Sequence, residues 1–335
     1  MIHTRAPIGL LTLGGWTATP WAMFGMACTC AGEETVRLAL RPRTGGPAVP
    51  PEVGMLPRQL LHAVLREFAL EGSAVALSLP AEADARALAA LAVAATAACA
   101  EAVGWVWRPP QLAWTAHRLL VSVQGSDDGL ADILAAVTGT AALHRIEPYP
   151  RAVSTVTAWA DDLFASSLLQ VWTGRPPDPT LMRRALARCR WDDQPTQPLL
   201  WRLRGLAPRA HTALRAGDPA ALGEAMEEHS ALLIRLAPAL RTPEFAHLHP
   251  LLRQAGAASL IEGPDRLLLL CPAERQAALP RRIETLGYRI APVRLAREGI
   301  RAWREDGLRL LAPMPAPGAS APSSGVNAPA RHATT

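Results

Sequence analysis

The sequence predicts an α+β protein of two domains, and three observations lead there. The chain has 335 residues, more than one core usually organises, because single hydrophobic cores stop growing at roughly 250–300 residues. Half of the residues are hydrophobic, enough to fill real cores. Strand-like alternation and helix-like spacing are mixed along the whole length, with a proline-flanked break at 148–150 and a low-complexity end at 313–335. The expected division is 1–160, 161–312 and a tail at 313–335.

Residues 7–15 form an apolar run closing in Gly14-Gly15, and residues 34–41 alternate as a half-buried strand does, so the chain opens in β-structure. Residues 44–54, rich in Gly and Pro, read as a loop. Next, Leu60, Leu61, Val64, Leu65 and Phe68 fall at helical spacing within 57–70. Residues 73–79 alternate again, 80–86 form a polar break, and 87–102 is an alanine-rich helix with no polar face, which must be buried. Residues 110–124 read as a helix, 125–129 as a loop, and 130–137 as an apolar run holding one acid, Asp132. Past 148–150 come a strand at 167–172, a Thr173-Gly174 turn, and helices near 180–190, 196–216 and 219–236. The last block reads helix 244–255, strand 266–271, helix 273–286, strand 288–294 and a short strand around 307–311. This succession of strands and helices predicts a ferredoxin-like second domain.

Composition excludes several functions. The formal charge is +5, but the 34 basic residues are all arginine, interleaved with Asp and Glu along helical stretches as on a solvated, salt-bridged face. Nucleic acid is therefore not an expected partner. Five cysteines are an odd number, and only Cys28 and Cys30 lie close together, short of the four ligands a zinc site takes. They read as buried thiols in a reducing, cytoplasmic setting. His247 and His249, two apart on a helix, face different sides and share no metal; His117 reads as packed. No secretory leader is recognisable in the first residues, and the apolar run 87–100 is too short to span a bilayer, so no membrane association is expected. Neither a nucleophile elbow nor a dinucleotide fingerprint occurs.

Five collinear segments carry a resemblance. They are Arg5-Ala6-Pro7 followed by 10–15, the strand–loop–helix at 73–102, AHRLLVSVQGSDDGLADILAAVTG at 116–139, LLQVWTGRPPDPTLM at 168–182, and RTPEFAHLHPLLRQAGAASLIEGPDRLLLL at 241–270. In this order they resemble the GHMP small-molecule kinases, above all phosphomevalonate kinases and related sugar-1-kinases. The first looks like the family's APGK-apolar-GE strand, and the second sits where the family has its GLGSSA phosphate loop. The third resembles AH-QG-GSG-x-D-V-A-A-A, the fourth a TG-x-x-S-T turn, and the fifth TPEL leading to SGAGGGD. The resemblance implies an N-terminal domain like domain 2 of ribosomal protein S5 and a ferredoxin-like C-terminal domain. It also implies ATP and Mg2+ as cofactors if the protein is active, and a small phosphorylated metabolite or sugar as substrate.

Carried over residue by residue, the resemblance makes Asp132 the acid that orients or deprotonates a substrate hydroxyl. Arg86 becomes a cation for phosphate, Ser259, Gly263 and Asp265 the remains of the second glycine-rich loop, and Thr173 and Gly174 the lining of the substrate cleft. No metal-ligand set is implied. Each has a plainer alternative: Asp132 as an exposed first-turn residue favoured by the helix dipole, Arg86 as a surface cap, and the others as turn residues.

Departures from the family pattern decide the chemistry. Phosphoryl transfer rests on backbone N–H groups at a helix N-terminus, a metal ion and basic side chains. Where GLGSSA is expected, residues 84–90 read Asp-Ala-Arg-Ala-Leu-Ala-Ala, with neither glycine nor serine. Gly9 stands in place of the opening lysine, and no lysine occurs anywhere. Glu262 and Pro264 replace flexible glycines of the second loop. The expected function is a degenerate, kinase-like protein, a pseudokinase partnering an active kinase. The alternative is an active phosphotransferase using Asp132, with arginines replacing lysines; a third option is a non-kinase member of the superfamily, which includes decarboxylases and synthases.

Overall fold

The computed structural model describes residues 1–20, 24–42, 49–80, 84–157, 167–176, 178, 181, 184 and 195–305. The tail at 313–335, the strand expected at 307–311, the helix expected near 180–190 apart from Leu181 and Arg184, and the start of the 44–54 loop lie outside them.

The first half builds one antiparallel sheet covered by helices. Strand β1 (Ile2–Leu13) runs beside β2 (Gly25–Pro42), which is long enough to pair with β4 (Ala142–Ile146) through its first residues and with β3 (Ser73–Ser78) through its last. β5 (Ala152–Val156) closes one edge. Helices α1 (Met55–Glu67), α2 (Ala85–Ala102), α3 (Pro109–Gln124) and α4 (Leu130–Thr138) pack on one face of this sheet. The alanine run makes α2 the central element, because small side chains let β1, β2, α1, α3 and α4 all approach it closely. By length and composition α2 could also cross a membrane; its faces are taken up by these neighbours instead.

The second half forms a four-stranded antiparallel sheet of order β7-β8-β6-β9, from β6 (Leu168–Trp172), β7 (Ala258–Ile261), β8 (Arg266–Leu270) and β9 (Arg289–Pro292). That order is the ferredoxin-like arrangement the sequence predicts. Helices α5 (Gln197–Ala216), α6 (Pro219–Leu236) and α7 (Pro243–Gln254) lie between β6 and β7, and α8 (Leu279–Thr285) between β8 and β9. Leu11, Leu13, Cys28 and Cys30 of the first sheet share one core with α5, α6 and the second sheet, so the two halves are joined by buried apolar surface. Finally β10 (Arg301–Arg304) returns to the first sheet and pairs with β1.

Several boundaries differ from expectation. β2 begins at Gly25 rather than 34, because its early residues, including Ala27, Cys28 and Cys30, are buried on both faces and do not alternate. The 148–150 prolines sit in the turn of the β4–β5 hairpin, and β7 occupies part of the segment aligned with a glycine-rich loop. The helix expected over 273–286 is a 3-10 turn at Ala273–Arg275 followed by the short α8.

Candidate functional site

A cavity of about 640 Å3 opens where the two halves meet, walled by the N-terminal ends of α2 and α4, the Gly15–Thr17 turn after β1, the β7–β8 turn and the inner face of α6. The entry to α2 is set by Asp84, whose extended backbone and short carboxylate make it an N-cap: its Oδ1 accepts from the Ala87 N–H at 2.9 Å. The positive end of α2, the natural seat for a phosphate, thus already carries a carboxylate belonging to the chain itself.

Around that cap the charges interlock. Arg86 donates from Nε to Asp84 at 3.2 Å and from Nη1 to Glu262 at 2.6 Å, with the Leu10 carbonyl at 3.4 Å. Arg266 pairs with Asp84 and donates to Asp265 at 3.0 Å. Glu262 also accepts from Gln170 Nε2 at 3.0 Å. Two loops far apart in sequence are thereby tied face to face, the start of α2 to the β7–β8 turn. Burial raises the Asp84 carboxyl, but Arg86 and Arg266 more than offset it and hold it below its ordinary value. Burial pulls Arg86 down, yet Glu262, Asp84 and Asp132 outweigh that and hold it firmly charged. Among the described residues lining this cavity, six are carboxylates (Asp84, Asp128, Asp132, Asp178, Glu262, Asp265) and two are arginines.

Asp132, on the first turn of α4, lines the same cavity. Its Oδ1 lies against β1 at Gly9, where an added Cβ would come within 3.1 Å of it. The β1–β2 register shifts on both sides of Gly9, so a kinked strand and a missing side chain together admit the acid. Burial lifts its carboxyl to about 7 against the pull of Arg86, with Asp84, Glu262 and Asp128 adding to the rise. The exposed first-turn reading of Asp132 is therefore corrected, and so is the surface-cap reading of Arg86.

The remaining residues divide. Gly263 and Asp265 line the cavity from the β7–β8 turn. Ser259 does not: it is fully buried in β7, and its N–H and Oγ both donate to Glu227 Oε1, at 2.6 and 3.0 Å. Thr173 Oγ1 donates to the Pro264 carbonyl at 3.0 Å, and Gly174, at φ +79°, takes the left-handed turn beside it. Neither lines these two cavities; Thr173 is tied instead to the β7–β8 turn, its N–H also donating to the Asp265 carbonyl at 2.8 Å. A second cavity of about 450 Å3 is bounded by β1, β2, β6 and β9; Leu10, Asp84, Arg86 and Arg266 line both.

No family sequence model matches the chain, and no curated protein matches it in sequence. Solved structures do match in shape. A D-glycero-D-manno-heptose 1-phosphate kinase from Bacteroides thetaiotaomicron superposes with a TM-score of 0.72 over 91% of this chain and 99% of its own, at 14% identity. The Streptococcus pneumoniae phosphomevalonate kinase gives 0.66 over 88% and 99% at 12% identity. A Methanococcus jannaschii mevalonate kinase gives 0.64 over 89% and 98% at 13%. The chain has the GHMP kinase fold. Identity this low shows the fold alone, and the site has to be judged on its own residues.

Within the GHMP kinase fold this site departs from a glycine- and serine-rich phosphate loop in its residues. Residues 85–90 offer no hydroxyl, the α2 N-terminus is taken by Asp84, and both cavity arginines are spent on carboxylates. No cluster of metal-ligating side chains occurs among the described residues. Two participants escaped the sequence. Arg266 was hidden because its partner Asp84 is 182 residues away, although an Asp-x-Arg in one loop and a Glu-x-x-x-Arg in the other are complementary. His229 sits at core spacing on α6 and gave no signal at all.

Proposed function

We propose that this chain is a pseudokinase of the GHMP fold: a small-molecule-binding protein that has given up ATP-dependent phosphoryl transfer and acts beside an active kinase. The carrying observation is the charge cluster whose Asp84, Arg86 and Arg266 line both cavities. In an active enzyme a phosphoryl group has to be met by free cations and donors, and here Asp84, Arg86, Glu262 and Arg266 already satisfy one another. Each lost donor to a developing phosphate charge is worth roughly 2–4 kcal/mol at a transition state, so losing both loops and every lysine removes most of the catalytic power. Cys28, Cys30, Cys99 and Cys271, all buried and free, fit a cytoplasmic setting.

Titration with Mg-ATP by calorimetry and thermal shift tests this. No heat and no change in Tm at millimolar nucleotide is the expected outcome. Stabilisation of about 2.7 kcal/mol, the gain at a hundredfold excess over Kd, would overturn it. One observation favours a second reading, active transfer to a sugar or small phosphorylated acceptor: the Asp132 carboxyl, brought to about 7, suits a proton acceptor. That reading requires turnover which Asp132→Asn abolishes.

A further inference from the structure

Asp132 is the acid that the charge cluster leaves out. Asp84, Glu262 and Asp265 are each paired with Arg86 or Arg266, whereas Asp132 has neither a hydrogen bond nor an ion pair among the described residues. Protein surrounds it closely enough for burial to govern its acidity, yet it keeps partial exposure, and it lines the 640 Å3 cavity. A carboxyl taken out of water without a partner is costly, and it gains most from a ligand that brings the partner with it.

The rest of the lining says what that partner is. Carboxylates outnumber arginines six to two, and both arginines are committed to carboxylates, so a cation is favoured in the cavity while a phosphate meets repulsion. No group of three side chains able to hold a metal ion occurs among the described residues. Leu10, Trp16, Leu88, Leu120, Leu233 and Leu260 line the same cavity and suit a hydrocarbon body, which a hydrated ion lacks.

We propose that the cavity takes a small primary amine with an apolar body, its ammonium group donating to the Asp132 carboxylate. The proposal deepens the pseudokinase reading and rests on it, since a cavity suited to a cation is one that has ceased to suit a triphosphate. An ammonium carries three N–H donors, and Asp128, Thr12 and Gln124, in the same lining, supply further acceptor groups. The charged groups that act on Asp132 are Arg86 and Asp84 at the entry to α2, Glu262 on the β7–β8 turn and Asp128 ahead of α4. An alkylammonium, like a lysine side chain, stays charged below about pH 10. Asp132 must release its proton to solvent for the pair to form, so binding strengthens as the pH rises towards 8.

The test uses hexylamine, 1-hexanol and hexyl phosphate, which share one hydrocarbon body and differ in the head. Binding to the full-length protein is read by titration calorimetry, and the Asp132 carboxyl is followed by its 13C resonance. At pH 8 hexylamine is expected to bind at least tenfold more tightly than either other probe. Its affinity should fall about tenfold from pH 8 to pH 5, and by reciprocity bound hexylamine should lower the pH at which Asp132 titrates by about one unit. Asp132→Asn should weaken hexylamine about tenfold and remove most of that pH dependence. The carboxyl titration is read on the wild-type protein, so the assignment stays testable if the variant fails to fold. Hexylamine binding no more tightly than hexanol, an Asp132 titration that hexylamine leaves in place, or unchanged affinity in a folded Asp132→Asn variant would overturn the proposal and leave the pseudokinase reading standing. Binding of none of the three probes would do the same. Hexyl phosphate binding more tightly than hexylamine would overturn the proposal and the pseudokinase reading together.

Discussion

Replacing Asp132 by Asn should make the protein more stable, and by an amount that depends on pH. The carboxyl rises from an ordinary 3.8 to about 7 in the folded protein, with burial the largest cause. At 1.36 kcal/mol per unit, its ionisation opposes folding by roughly 4 kcal/mol once the pH exceeds 7. The sign follows from proton counts. Between about pH 4 and 7 the folded state keeps a proton the unfolded chain has released, so this group's contribution falls as pH rises through that window and is level above it. The amide of the variant has no proton to lose, so the gap between variant and wild type is near zero at pH 4 and grows to on the order of 3–4 kcal/mol at pH 8. Urea denaturation of both proteins at pH 5, 6, 7 and 8 measures the gap, and other titrating groups cancel in the difference. A gap that does not change with pH would show that Asp132 is ordinarily ionised, and with it would fall the picture of a shielded acid held against Gly9.

Other perturbations probe the same construction. Arg266→Ala leaves Asp84 and Asp265 without a cation they now share, both largely buried, and should cost about 3–5 kcal/mol in denaturant stability; a loss under 1 kcal/mol would mean the cluster is solvated. Buried His144 and His229 are both held near 3, so wild-type stability should fall as pH drops below 6.5, where the unfolded chain takes up protons the folded one refuses. His144→Gln should flatten part of that fall in acid denaturation curves. Gly139, at φ +74°, lies so close to Glu298 and Gly299 that a Cβ would overlap their backbone. Gly139→Ala should therefore lower Tm by about 10 °C or more, on the order of several kcal/mol, whereas Gly104→Ala, with open space around it, should cost only the strain of its backbone angle.

Much of this protein was legible before any coordinates, and the reason is locality. Helices α1, α3, α5 and α6 announce themselves by apolar spacing, α2 by its unbroken alanines, and β3, β6 and β8 by short apolar or alternating runs, because each of these patterns is decided within a few residues. The missing glycines, serines and lysines of a phosphate site were equally plain, since an absence needs no geometry. β7 and the early part of β2 escaped: a strand buried on both faces shows no alternation, and a loop alignment concealed the other.

What the tertiary structure alone decided is how the chain's charges and orphans meet. Asp84 and Arg266 are joined by the approach of two loops 182 residues apart in the chain, and Ser259, promising as a loop remnant, is drawn into β7 and satisfied by Glu227. Asp132 owes its altered acidity to burial against β1 at Gly9 and to the charges gathered around it, and His229 is enclosed on α6 with neither ring nitrogen paired among the described residues. Periodicity is a property of neighbours along the chain, whereas desolvation and charge pairing depend on neighbours in space, and only the folded arrangement supplies those.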